Sequence, residues 1–222
     1  YGARKYLIYL FGGSIALVLP AMIFIYQVTG TLDFNYMGII PTYMNPKIML
    51  ALLLMLLYGF GKAGLMPLHA WLPGAMVAPT PVSALLHAVA VVKVGVFSII
   101  RVFTGIFGYQ LLSFTDLNTV ICYVAAFTVI TASLIALYQD SLKRRLAFST
   151  IGQLAYIIMG VGLASYLGVV GGVLHIVMHA FGKITLFFCA GAIYVQAHLT
   201  KISELDGQGR EMPWIFAAFF IG

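Results

Sequence analysis

Apolar residues run through this chain in blocks of about 20, the length that carries a helix across roughly 30 Å of hydrocarbon, and polar residues collect in the short stretches between them. The blocks predict membrane-spanning helices over residues 7–28, 48–70, 82–107, 117–138, 145–164 and 168–195, with a further one beginning at Pro213 and cut at Gly222. Strict alternation of apolar and polar positions, the signature of a membrane β-barrel, does not organise these blocks. The expected fold is therefore an all-α membrane protein, a polytopic helical bundle. Tyr1 stands where an initiator methionine would, and Arg4 and Lys5 lead straight into a span, so both ends read as cuts through a longer polytopic chain. No signal peptide is needed.

Composition sharpens this picture. Of 222 residues, 62% are hydrophobic and 8% charged, against about 25% charged in soluble domains. The net charge of +6 could point to an acidic partner such as nucleic acid, but its placement argues for orientation. If the segments alternate in direction, Arg4, Lys5, Lys143, Arg144, Arg145, Lys201 and Arg210 share one side, and only Lys47 and Arg101 flank the other. The positive-inside rule then puts the Lys143–Arg145 loop in the cytoplasm. Cys122 and Cys189 both fall within spans, which suits packing and gives neither a disulfide framework nor metal spacing.

The charges that do not fit are informative. All six acids, Asp33, Asp116, Asp140, Glu204, Asp206 and Glu211, lie in predicted loops or at span ends, whereas Lys62, Lys93 and Lys183 lie deep within spans. A lysine at the bilayer centre is disfavoured by about 2.5–3.5 kcal/mol, so three facing lipid would sum to on the order of 10 kcal/mol. They must face protein or water. Lysine, unlike arginine, changes protonation readily when buried, which is the property a proton relay uses. Snorkelling or fixed structural pairing is the alternative for any one of them.

Around Lys62 the stretch LLYGFGKAGLMPLHAWLPG places glycines and prolines at membrane depth. Pro67 would leave the Ala63 carbonyl without its helical partner, and Gly59, Gly61 and Gly64 loosen the surrounding turns, so a helix break is expected near Lys62–Pro67. Non-helical backbone at this depth is tolerated where it lines protein or a water-filled cavity. A packing kink or a plain helix end is the other reading. In HIVMHAFGK, His175, His179 and Lys183 recur every four residues, each step turning 40° and rising about 6 Å, so they line one stripe about 12 Å long. Such a stripe suits a water-linked relay. Buried hydrogen-bonded histidines, or a zinc pair that lacks a third ligand, are the alternatives. His87 and Lys93 share the third segment, six residues apart and pointing about 120° away from each other on a regular helix, which suggests different neighbours. His69 follows Pro67 near the cytoplasmic end and is a candidate proton intake point; His198 is read as solvated.

Other signals fall away. Gly182 and Lys183 lack the remaining residues of a phosphate loop, and Gly168 and Gly172 form a GxxxG suited to close helix packing. No nucleophile–base arrangement, flavin, haem or iron–sulfur ligand set is discernible, so no cofactor and no metal are expected. The chain reads as one that moves something without transforming it.

GKAGLMPLHAWLPGAMVAPTPVSALLHAVAVVKVGVF, DSLKRRLAFSTIGQLAY and GGVLHIVMHAFGKITLFFCAGAIY closely resemble the antiporter-like subunits shared by bacterial NADH:quinone oxidoreductase (complex I), Mrp-type cation/proton antiporters and membrane-bound hydrogenases. The resemblance runs from about Tyr1 to Gly222. It implies a fourteen-helix fold with two inverted five-helix repeats, of which this chain would be helices six to eleven and the start of twelve: residues 1–107 ending the first repeat and 117–222 opening the second. It also implies roles. Lys62 would be the lysine of the broken seventh helix, Lys93 the bridging lysine of the eighth, His87 the histidine some members carry there, and His175, His179 and Lys183 the polar stripe of the eleventh. The family's glutamate that pairs with the broken-helix lysine would precede Tyr1, and the ionisable residue of helix twelve would follow Gly222. Gly182 replaces a phenylalanine common in relatives, which suggests looser packing beside Lys183.

On this resemblance the chain is expected to translocate protons, coupled either to redox chemistry or to Na⁺ or K⁺ exchange, with other membrane subunits as partners; the combined motifs lean towards the Mrp branch. A non-transporting scaffold that anchors such a complex is the competing class, and an isolated quinone-reducing enzyme a third. Neutralising a lysine would damage assembly in the scaffold and flux in the transporter; a flavin or haem spectrum would mark the enzyme.

Overall fold

The computed structural model describes residues 2–34 and 37–222. Tyr1, and the side chain of Lys5 counted above among the cytoplasmic charges, lie outside what is described. Five helices are long and apolar enough to cross a membrane: α1 (Tyr6–Thr29), then, after the shorter apolar helix α2 (Pro46–Gly59), α3 (Thr80–Phe107), α4 (Leu117–Leu137), α5 (Leu142–Gly162) and α6 (Tyr166–Ala197). A last helix, α7, covers Pro213–Ile221. This is the polytopic helical bundle expected.

The second span differs from expectation. Regular helix ends at Gly59, at the near edge of the expected Lys62–Pro67 break and not at residue 70, so α2 is 14 residues, about 21 Å at 1.5 Å per residue and too short to cross. Phe60 leaves helical geometry (φ −77°, ψ 55°). Lys62 then sits in a single 3₁₀ turn, Gly61–Ala63, closed by Gly64 in the left-handed region at φ +67°, a conformation glycine adopts without steric penalty. The Ala63 carbonyl was therefore never part of an α-helical ladder for Pro67 to interrupt, and the glycines cause the break. The chain reaches the far side through turns and the short helix Trp71–Gly74, with Pro67 preceded by a cis peptide bond.

Two devices hold this irregular segment. The Trp71 indole N–H donates to the Gly61 carbonyl at 2.9 Å, and the Met66 amide donates to the Thr128 hydroxyl of α4 at 3.3 Å, which satisfies backbone groups that lipid would leave bare. α3 also carries irregular turns, at Leu85–Val89 and Val102–Phe107, where the winding loosens to a π-type turn.

Packing follows the apolar stripes. α4 and α5 form an antiparallel hairpin, and α5 is the most buried of the five long helices. Tyr123, Phe127, Ile130, Leu134 and Leu137 form an exposed stripe at helical spacing along α4, suited to lipid contact. The two-sided charge arrangement is visible in the ends of the helices. Arg101 donates to the Phe34 carbonyl at 3.5 Å and lies over its ring, so this end of α3 meets the 30–45 connection. The opposite end of the bundle gathers Lys143, whose ammonium donates to the Ala78 carbonyl at 3.4 Å, and Lys201, joined to Ser141 by an antiparallel bridge.

A candidate proton-relay site in the bundle interior

α3, α5 and α6 bring most of the candidate residues together. Lys93, His179 and Lys183 are 7, 7 and 5% exposed and His87 is fully buried, although lysine is among the residues least often found inside. α6 has 32 residues, so Lys183 lies near its midpoint and His175 two turns nearer its start. The three residues of α6 each find a different partner. Lys183 donates to the Ser149 hydroxyl at 2.8 Å, Lys93 of α3 and His179 share a hydrogen bond between Nζ and Nδ1, and His175 Nε2 pairs with Gln153 Oε1 at 2.7 Å. The His175 and His179 rings stack at 6.1 Å between centroids.

This ladder is made of bases. Among the described residues no carboxylate pairs with a buried lysine; the ion pair found is Lys201–Glu204, at the surface. Two imidazolium ions 6.1 Å apart would repel by about 3 kcal/mol at an effective dielectric constant of 20, a factor of roughly 100 in population. Charge on one rung therefore disfavours charge on the next. His179 also stands within electrostatic reach of Lys93, Lys183, His175 and His87. The Lys93–His179 pair holds a proton between two nitrogens: either the ammonium donates to Nδ1, or Nδ1–H donates to a neutral amine. His179 Nε2 is buried without a partner among the described residues, a position a water molecule in the interior would serve.

His87 packs on Phe187 at 5.4 Å, and neither ring nitrogen has a hydrogen-bond partner among the described residues. It and Lys93 thus meet different residues, but both on α6, so the 120° separation does not send them to different helices. That angle assumes a regular helix, and Leu85–Ala90 is irregular, with Ala90 at φ −99°, ψ −76°. The Ser83 hydroxyl, one turn before His87, donates to the Ala78 carbonyl at 3.1 Å.

Lys62 is not drawn into the ladder. It is half-buried in its turn against α3, where Gly95 permits a backbone approach so close that a Cβ there would sit 2.4 Å from Ala63 N. His69 is half-buried beside Phe148, rings 6.0 Å apart, with Nδ1 buried and without a hydrogen-bond partner among the described residues. Pro67 is exposed, whereas Gly61 and Gly64 are buried. His198 is exposed as expected. The packing beside Lys183 is not loose: a Cβ on Gly182 would sit 2.9 Å from the Gly222 carbonyl oxygen, so this glycine admits the end of α7. The two histidines of the zinc alternative already face Gln153 and Lys93, and no group of three His, Cys, Asp or Glu among the described residues is arranged for a metal.

Sequence reasoning missed Ser149 and Gln153. They lie four residues apart in an apolar span, the same spacing as the stripe they face, and that spacing was the available signal.

The model of the family described as NADH:quinone oxidoreductase/Mrp antiporter, transmembrane, matches residues 1–222. The chain belongs to that family. Within the NADH:quinone oxidoreductase/Mrp antiporter family it is 40% identical over 169 residues to F(420)H(2) dehydrogenase subunit L of Methanosarcina mazei, covering 74% of this chain and 24% of the relative. It is 33% identical over 207 residues to NADH-quinone oxidoreductase subunit L of Escherichia coli, covering 91% and 32%. The chain thus spans about a quarter to a third of these relatives. Among solved structures, an archaeal respiratory membrane complex, the membrane-bound sulfane sulfur reductase, superposes with TM-score 0.86 at 30% identity over 99% of this chain and 45% of the other. The Mrp complex of Dietzia sp. gives 0.77 at 28% identity over 88% and 21%. The family's antiporter-like fold is therefore the fold of this chain, and its relatives are subunits of multi-subunit membrane complexes.

Proposed function

We propose that this chain is the proton-conducting part of such a subunit and that protons move laterally through Lys93, His179, His175 and Lys183, with His87 and interior water linking them. The observation that carries this reading is the ladder of cross-helix pairs, the half-buried pairs Lys183–Ser149 and His175–Gln153 around the buried pair Lys93–His179, assembled from three helices without an acid. A structural ion pair would use a carboxylate to fix the charge; a ladder of bases hands one proton from rung to rung. Lys62, beside the helix break, switches protonation at the start of the path: an approaching acid favours its charged form and a departing one disfavours it. His69, on the same irregular segment, is the intake point. At 100 mV each charge moved across the membrane couples to about 2.3 kcal/mol, the same order as the repulsion between rungs.

The finer reading goes with this one. Residues 1–107 close one inverted repeat and 117–222 open the next, the Lys143–Arg145 loop lies in the cytoplasm of a bacterial plasma membrane, and partner subunits supply either redox energy or a Na⁺ or K⁺ gradient. The named relatives include redox complexes and an Mrp complex, so the driving force is decided by assay. Everted vesicles carrying the whole assembly are given Na⁺, K⁺ or reductant separately, wild type against Lys183→Met and Lys62→Ala. Loss of flux in an assembled complex supports the relay, and the fuel that drives the wild type names the branch. Unchanged flux in Lys183→Met refutes the ladder, and assembly failure in every neutral variant favours a scaffold.

A further inference from the structure

A cleft of about 490 Å³ opens between α5 and α6 and is lined by Gln153, Tyr156, Gly160, Gly171 and His175 among others. It begins near the Leu163–Leu167 turn, the end of α6 remote from the Ser141–Lys201 bridge, and runs about 10 Å along the helix, seven residues from Gly168 to His175. Gly168 and Gly160 hold the helices close, a Cβ on Gly168 meeting the Gly160 carbonyl oxygen at 2.3 Å, while Gly171 faces open space with nothing within 4 Å of its Cβ. The floor is the His175–Gln153 pair. The polar end of the cleft, where His175 and Gln153 meet, offers water the hydrogen bonds that an acyl chain cannot return.

A histidine that passes protons takes one on one ring nitrogen and releases one from the other, and so ends in the opposite tautomer. A partner that only accepts, such as a carboxylate, holds the proton on the nitrogen it faces. A partner that only donates holds it off. An amide does both, through its oxygen or, after a half-turn, its NH₂.

We propose that Gln153 is a positioning residue that lets His175 work in both tautomers at the floor of this cleft. This rests on the relay reading. When a proton reaches His175 Nδ1, the ring becomes imidazolium while Nε2–H still donates to Gln153 Oε1. The Nε2 proton then leaves to cleft water, and the Gln153 amide turns to donate N–H to the bare Nε2. The proton count is unchanged, one taken up and one released, and the amide exchanges none. The titratable groups facing His175 are His179 on its own helix, Lys93 from α3 and Tyr156 across the cleft from α5; none of them offers this dual role at Nε2.

The test uses the whole complex in everted vesicles, with Gln153→Glu, Gln153→Leu and Lys183→Met in parallel and assembly quantified. Gln153→Glu is nearly isosteric and holds a proton on Nε2: flux is expected to fall at least tenfold near neutral pH and to recover partly at higher pH, so its pH profile moves upwards. A purely structural role would not move that profile. Gln153→Leu is expected to lose flux at every pH. The proposal is overturned if Gln153→Glu keeps the wild-type profile, or if an assembled Gln153→Leu keeps wild-type flux. If Lys183→Met is also inert, the relay reading falls with it; if Lys183→Met is dead and the Gln153 variants are normal, only the present proposal fails. Should Gln153→Leu not assemble, the Gln153→Glu profile still decides.

Discussion

Replacing Gly95 by alanine tests the contact on which the placement of Lys62 depends. The added Cβ would lie 2.4 Å from Ala63 N, 2.6 Å from the Lys62 carbonyl carbon and 2.8 Å from Lys62 Cβ. Comfortable contacts are about 3.5–4.0 Å, so α3 and the broken segment must separate by roughly 1 Å. Two of the three atoms are backbone, and no rotamer change relieves them. Overpacking of this kind is destabilising by about 1–3 kcal/mol. Alanine in a helix interior recovers about 0.5–1 kcal/mol over glycine, so the clash wins and a net loss of about 1–2 kcal/mol remains. The functional effect is larger, because two of the three atoms struck belong to Lys62 itself, and a displacement near 1 Å can lower a positioned reaction about 100-fold. Gly95→Ala in the assembled complex is therefore expected to reduce proton flux at least tenfold, measured with a pH-sensitive dye in everted vesicles, and to lower the melting temperature of the complex. Gly12→Ala is the control: its Cβ meets nothing within 4 Å, and flux should not change. Wild-type flux and melting in Gly95→Ala would show that the close approach does not position Lys62.

Three further outcomes follow from single contacts. Ser149→Ala removes the acceptor of the Lys183 ammonium; hydrogen bonds to charged groups contribute about 1.5–3 kcal/mol, and flux is expected to fall in Ser149→Ala but not in Ser149→Thr, which keeps the hydroxyl. A double-mutant cycle of Lys93→Met and His179→Leu on thermal stability should give a coupling of about 0.5–3 kcal/mol; additivity would mean that the pair is not formed. The Ser203 amide, and then its hydroxyl, donate to the Asp140 carboxylate and hold its pKa below the ordinary 3.8. A depressed native pKa stabilises above the unfolded value, and that contribution disappears as pH falls through the native one. Proteolysis of the Thr200–Glu204 stretch should therefore rise on acidification in wild type, and Asp140→Asn should be cleaved readily without that acid-side slope.

What could be read from sequence and what could not divide along a physical line. Period and block length are properties of one helix, and they located the spans and the His175–His179–Lys183 stripe. The second span was read to residue 70 with a break near Lys62–Pro67, whereas regular helix already stops at Gly59: proline is the conspicuous breaker, but three glycines in six positions act together just before it. The Lys93–His179 pair was unreadable for a different reason. It joins two helices, and the irregular turn at Leu85–Ala90 defeats any angle counted through it. Ser149 and Gln153 lie between these cases: their four-residue spacing was in plain view, but polar uncharged side chains announce no chemistry until a charged partner faces them. The same holds for the mechanism. A buried lysine alone is a penalty of a few kcal/mol, and only its neighbours decide whether it is locked or mobile. Here the hydrogen-bond partners of the buried lysines are a serine and a histidine, groups that accept a hydrogen bond without fixing the charge.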